Sequence, residues 1–211
     1  MRRFDITASA LAAAVVAFSA SYACAEEFTA KLSGFNEIGS IPSAFPAIAS
    51  TPSPSSPTGY TGAILTEATG TLSLKLSKDH FDYTLTYTGP FTSDVQQAHI
   101  HFGKSRDSGG IVVWLCQTTA KPAPASVAAL TPFCTTTPSP TARVTGTITA
   151  ANVLAVPGQN VPAGVFDAIT DAITSHTAYA NIHTANFPGG EIRGQVHPAE
   201  NEHDHDHDHG K

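Results

Sequence analysis

The chain has 211 residues, 41% hydrophobic and only 13% charged, which suits one globular domain large enough to bury its own core. Its formal charge is −6 with histidines neutral, and no basic patch follows the first few residues, which excludes the electrostatic footprint of a nucleic-acid binder. Fifteen Pro and sixteen Gly, with abundant Thr and Ser, favour short strands and turns over long helices.

Arg2 and Arg3, the apolar stretch Leu11 to Phe18 and the small-residue triplet Ala23-Cys24-Ala25 predict a signal peptide over residues 1–25, cleaved near Ala25. The apolar run is shorter than the ~20 residues of a spanning helix, and no other stretch predicts a transmembrane segment. Lipid attachment at Cys24 is the competing reading. Ser21 stands three residues before it, where lipoprotein signals carry a Leu-like residue, so soluble export to the periplasm or beyond is expected. Cys116 and Cys134 then remain. An oxidising compartment favours a disulfide between them, closing a loop of about 18 residues at a gain of about 3 kcal/mol; two free thiols are the alternative.

In chain order, Phe28 to Gly34 alternates as a strand does. A Pro/Ser/Thr-rich stretch near 41–62 follows and reads as an exposed insertion, since each Pro removes a ladder donor. Strand patterns recur at Thr69 to Leu76, Phe81 to Tyr87, Val95 to Phe102 and Ile111 to Cys116. A second Pro-rich loop near 121–140 contains Cys134, and Arg143 to Thr149 alternates again. Val165, Ala168, Ile169, Ala172 and Ile173 fall at helical spacing, predicting a short amphipathic helix between Gly164 and Ser175. Strands at Thr177 to Thr184 and Glu191 to His197 flank the turn sequence Asn186-Phe-Pro-Gly-Gly190. The expected fold is all-β: an antiparallel β-sandwich or flattened barrel of about eight strands with one short helix. It spans 26–198, with a disordered His/Asp-rich tail at 199–211.

Three passages are more specific than these patterns. They are Ala98-His-Ile-His-Phe-Gly103, Ala178-Tyr-Ala-Asn-Ile-His-Thr184 and Pro188-Gly-Gly-Glu-Ile-Arg-Gly-Gln-Val196. In this order, and with Thr69-Gly-Thr-Leu-Ser-Leu74 before them, they resemble the CHRD (chordin-type) domain, a family common among bacterial exported proteins. The resemblance covers roughly Glu27 to Pro198 and implies an all-β fold. It implies no particular reaction.

Strand parity sorts the same passages by face without reference to any family. Gln97, His99 and His101 oppose Ala98, Ile100 and Phe102. Tyr179, Asn181 and His183 oppose Ala178, Ala180 and Ile182. Glu191, Arg193, Gln195 and His197 oppose Ile192, Gly194 and Val196. One face is therefore core and the other an outward polar row, which in an antiparallel sheet is ordinarily solvated. Imidazoles, an amide, a guanidinium and a carboxylate on that row instead point to a site, with Tyr179, Asn181, Glu191 and Arg193 as binding candidates. Glu191 and Arg193 also stand where they could pair with each other as an ion pair.

His99 and His101 at i and i+2 point the same way, and His183 supplies a third nitrogen. Imidazole suits Cu and Zn. Structural imidazoles, each bonded to a nearby loop, are the alternative. Cu/Zn superoxide dismutases also carry a His-x-His pair on a strand, but only His80 and His176 accompany these residues before His197, and no zinc-loop pattern is present. In the tail, His203, His205, His207 and His209 alternate with Asp, a composition that captures Zn, Cu or Ni weakly. No GxSxG, HExxH or paired-carboxylate pattern appears. The leading expectation is an exported non-enzymatic binding module that takes a metal ion, or a protein or glycan partner, on the polar face. A small copper/zinc enzyme and a purely structural envelope domain are the alternatives.

Overall fold

The computed structural model describes residues 26–38, 40–41 and 60–199. The expected signal peptide, the His/Asp tail and most of the first Pro-rich stretch lie outside the described residues. The strands are β1 (Glu27–Ser33), β2 (Ser40–Ile41), β3 (Tyr60–Thr61), β4 (Thr69–Leu76), β5 (Phe81–Thr88), β6 (Val95–Phe102), β7 (Gly110–Cys116), β8 (Thr141–Ile148), β9 (Ala178–Thr184), β10 (Ile192–Gln195) and β11 (His197–Pro198). One α-helix, α1 (Phe166–Thr174), precedes β9.

Apart from the short pair β2-β3, the strands form one antiparallel sheet in the order β7-β6-β9-β10-β1-β4-β5-β8, with β11 also on β1. Alternation explains why it curls around a core. Leu72 and Leu74 of β4, and Phe81, Tyr83, Leu85 and Tyr87 of β5, are buried, while Thr71, Ser73, Lys75 and Asp82 between them are exposed. The inward residues meet Phe28, Ile100, Ile148 and Ile182 in one cluster.

The two ends of the sheet, β7 and β8, come close to each other, so the sheet is nearly closed as a barrel. Tyr83 bridges the gap. Its ring lies against Gly146 of β8, where an added Cβ would sit 2.7 Å from the ring. Its hydroxyl donates to the Leu115 carbonyl of β7 at 2.6 Å. Only glycine lets the phenol pass.

The helix buries Ile169, Ala172 and Ile173, as the spacing predicts, and sets Phe166 against Phe81 with ring centroids 5.5 Å apart. Val165 differs: it is the extended residue before the first turn and is 37% exposed, so it does not share the apolar face. The predicted last strand is likewise split, into β10 and β11, at Val196.

The second Pro-rich loop is ordered. The Cys116–Cys134 disulfide ties it to the end of β7. The Tyr87 hydroxyl donates to the Thr135 carbonyl at 2.9 Å and accepts from the Thr135 amide at 2.8 Å. Gln117 fills the loop's interior, its amide donating to the carbonyls of Ala128 and Thr131 and its oxygen accepting from the Ala123 amide. A buried amide satisfied in this way fixes the loop around it.

Candidate metal centre

The sequence leaves open whether the His99 strand adjoins the last hairpin. It does, because β6, β9 and β10 are consecutive in the sheet. Register sets Gln97 opposite His183, His99 opposite Asn181 and His101 opposite Tyr179. On the far side of β9, Asn181 faces Arg193 and Tyr179 faces Gln195. The polar row is thus continuous over three strands.

That row is not the solvated surface expected of it. Exposure is 0% at His99, 7% at His101, 5% at His183, 0% at Glu191 and 2% at Arg193, and Tyr179 and Asn181 are buried too. The chain's own loops cover the face. The loop after β6 receives two hydrogen bonds from an Arg193 nitrogen, at the carbonyls of Lys104 and Asp107, both 2.9 Å. The loop after β9 lies against His183. Glu37, in the turn after β1, packs its carboxylate against Gly190, which has φ +127° and would have no room for a Cβ.

Three imidazoles meet beneath these loops. His99, His101 and His183 each offer a ring nitrogen, and the three nitrogens lie within 4.8 Å of one another. His99 Nδ1 is 3.1 Å from His183 Nε2. His101 Nδ1 is 2.9 Å from the Gly109 carbonyl, and His183 Nδ1 is 2.9 Å from the Pro188 carbonyl. A carbonyl only accepts, so both Nδ1 atoms carry hydrogen and both Nε2 atoms present lone pairs. The Nε2 atoms of His99 and His101 are buried without a hydrogen-bond partner. His183 Nε2 lies 2.9 Å from Asn181 Oδ1; two acceptors repel at that distance, so this tautomer requires the Asn181 amide turned to present its nitrogen there.

Burial also fixes the charge state. Desolvation is the largest influence on all three rings. It drives His99 well below its ordinary pKa, reinforced by its two histidine neighbours. His101 falls to about 4, the Gly109 carbonyl and nearby Asn181 opposing the shift while Arg193 adds to it. His183 also falls to about 4, with His101 adding to the shift and the Pro188 carbonyl opposing it. The rings are therefore neutral at pH 7, the form that ligates metals.

The donor set fits a late transition metal. Two rings already hold Nδ1–H on main-chain carbonyls, the outer-shell arrangement that orients ligating imidazoles. Three nitrogens on an ion at ~2.0–2.1 Å stand ~3.4 Å apart in tetrahedral geometry, so ring nitrogens lying farther apart than that would close on a shared ion. Among the described residues, no carboxylate or thiolate joins this group.

Packing around the rings comes from Tyr179, which the sequence singles out, and from Trp114, which it does not. Trp114 lies 4.3 Å from His99, centroid to centroid. β7 presents it there because the β6–β7 register slips by one residue at two places, beside His99 and beside His101. Such bulges re-aim side chains. Tyr179 stacks on His101 at 4.7 Å and an angle of 4°.

Glu191 and Arg193 do not pair with each other. Glu191 instead accepts from Thr66 Oγ1, from the amide and Oγ1 of Thr92, and from Thr184 Oγ1, at 2.6–2.9 Å. Arg193 serves main-chain carbonyls and an aromatic ring. The expected ion pair fails because the loops that bury this face bring closer partners to each group. The remaining described histidines lie elsewhere: His80 sits between Asp79 and Asp82, and His176 beside His197. The tail histidines lie outside the described residues.

A nearly closed antiparallel barrel with an imidazole cluster on its outer face, roofed by its own loops, is the class of domain that fold and site define. The chain belongs to the CHRD domain family, whose sequence model matches residues 28–196. No curated protein and no solved structure matches the chain.

Proposed function

We propose that this is an exported, non-enzymatic binding module whose triad of His99, His101 and His183 holds one copper or zinc ion. The observation that carries the reading is the pair of buried Nε2 atoms, on His99 and His101, without hydrogen-bond partners. An unpaired buried acceptor or donor costs about 1–3 kcal/mol, and a bound cation would remove that cost for each ring that turns a lone pair towards it. Three ligands leave a fourth position free on a tetrahedral ion, but these rings lie under three loops that close the path a substrate would take to it, which favours binding over turnover. A protein or glycan partner would reach Tyr179, Asn181, Glu191 or Arg193 only if those loops moved.

Export is supported by the disulfide and by the signal pattern before Ala25. Among the described residues, no helix is long and apolar enough to cross a membrane.

The test is metal analysis of the full chain purified without affinity resin, alongside His99→Gln and His183→Gln. The expected result is one tightly held equivalent of Cu or Zn in the parent, absent from both variants. Equal metal content in all three proteins, or no thermal shift on adding either ion to the parent, would remove the reading. N-terminal sequencing of exported protein tests cleavage after Ala25.

A further inference from the structure

The triad does not account for two other histidines that the fold brings together. α1 ends in a Schellman motif: the Thr177 amide donates to the Ala172 carbonyl at 2.8 Å, and the His176 amide donates to the Ile173 carbonyl at 3.2 Å. His176 occupies its left-handed position, with φ +58°. Glycine is the usual occupant because a Cβ strains this backbone conformation. The imidazole does not repay that strain by packing, since His176 is exposed.

Its ring faces His197 instead. His197 is exposed on β11, held opposite Thr29 of β1 by strand pairing. The two Nδ1 atoms are 3.4 Å apart and the ring centroids 5.4 Å. Two imidazole nitrogens bound at ~2.0–2.1 Å to a tetrahedral ion are ~3.4 Å apart. The backbone on both sides is fixed as well: Gln195 Nε2 donates to the His176 carbonyl at 2.8 Å, joining the helix end to the last residue of β10, two residues before His197.

We infer that His176 and His197 form a second, solvent-facing metal site, taking a divalent late transition ion such as Cu²⁺, Ni²⁺ or Zn²⁺ through both Nδ1 atoms. Two coordination positions of a tetrahedral ion are left for water. A residue that breaks a local backbone preference without a packing gain marks a place where something else is selected. Here that is a nitrogen already at chelating distance from its partner. This site is independent of the buried triad, and either can exist without the other.

The experiment uses the full chain, labelled for amide spectra, with substoichiometric Cu²⁺ as a paramagnetic probe. Signals of Ser175, Thr29 and Ala199 should broaden first. They should stay sharp in His197→Ala and in His176→Gly, while signals around His203 to His209 and around the triad still respond. His176→Gly should also raise the metal-free thermal midpoint, because glycine relieves the left-handed strain. Broadening at Ser175 and Thr29 that survives both substitutions, or never develops in the parent, would overturn the site. A lower metal-free midpoint in His176→Gly would overturn it too, since the imidazole would then be serving structure.

Discussion

The guanidinium of Arg193 lies over the ring of Tyr179, its central carbon 3.3 Å from the ring centroid. Tyr179 in turn stacks on His101, so a buried cation, a phenol and a triad imidazole form one column. Desolvation lowers the Arg193 pKa, while Tyr179, Glu37 and Asp107 favour its charged form. The column links the loop over the site to the ring beneath it.

Arg193→Lys should therefore cost more than its conserved charge suggests. Lysine keeps the charge but not the planar fork or the stack, and leaves the carbonyls of Lys104 and Asp107 less well satisfied. A loss of about 2–3 kcal/mol in urea unfolding is expected. Metal affinity at the triad should fall at least about tenfold, as when outer-shell partners are removed. Unchanged stability would show that the column bears no weight.

Stability should fall with acid. The three imidazoles are held neutral in the fold, two with pKa values of about 4, whereas in the unfolded chain they protonate near 6.5. Between those values the unfolded state binds more protons, so stability is complete above about pH 6.5 and is lost as the pH drops towards 4. Each ring contributes at most about 1.4 kcal/mol per pH unit. Urea midpoints of the metal-free protein at pH 7 and pH 5 measure this, and His101→Gln should flatten the difference. A parent protein equally stable at both values would contradict the neutral triad.

Glu191→Gln should destabilise without touching any imidazole. The carboxylate accepts four hydrogen bonds from three threonines, and an amide nitrogen in one of those positions would face donors. About 2–3 kcal/mol should be lost, read by thermal or urea unfolding, with metal content unchanged. Loss of metal with stability intact would instead mark Glu191 as part of the centre.

Replacing both Cys116 and Cys134 by Ser should cost about 3 kcal/mol by chain entropy. The parent in reductant should match the variant. The Tyr87 and Gln117 contacts hold the loop by other means, so native-like spectra should persist. A parent insensitive to reductant and equal to the variant would show that the cross-link constrains nothing.

Period-two alternation was enough to find β4, β6 and β9 and to set His99, His101 and His183 on one side of a sheet, because a strand side chain's face depends only on parity. It was not enough to say what lies above that face. Arg193 meets its loop 86–89 residues away in sequence, and no local pattern encodes such a meeting. The slips that aim Trp114 at His99 hide inside Ile111-Val-Val-Trp-Leu115, a run that is apolar throughout and so carries no alternation to break. The helix was legible from Ile169, Ala172 and Ile173, whereas its first residue was not: Val165 fits the spacing but precedes the turn.

Because Tyr83 spans from β5 past Gly146 to the Leu115 carbonyl, the two outermost strands face each other instead of the solvent. Open strand edges are where one chain recruits another into growing stacks. A barrel latched in this way offers little such template for self-association.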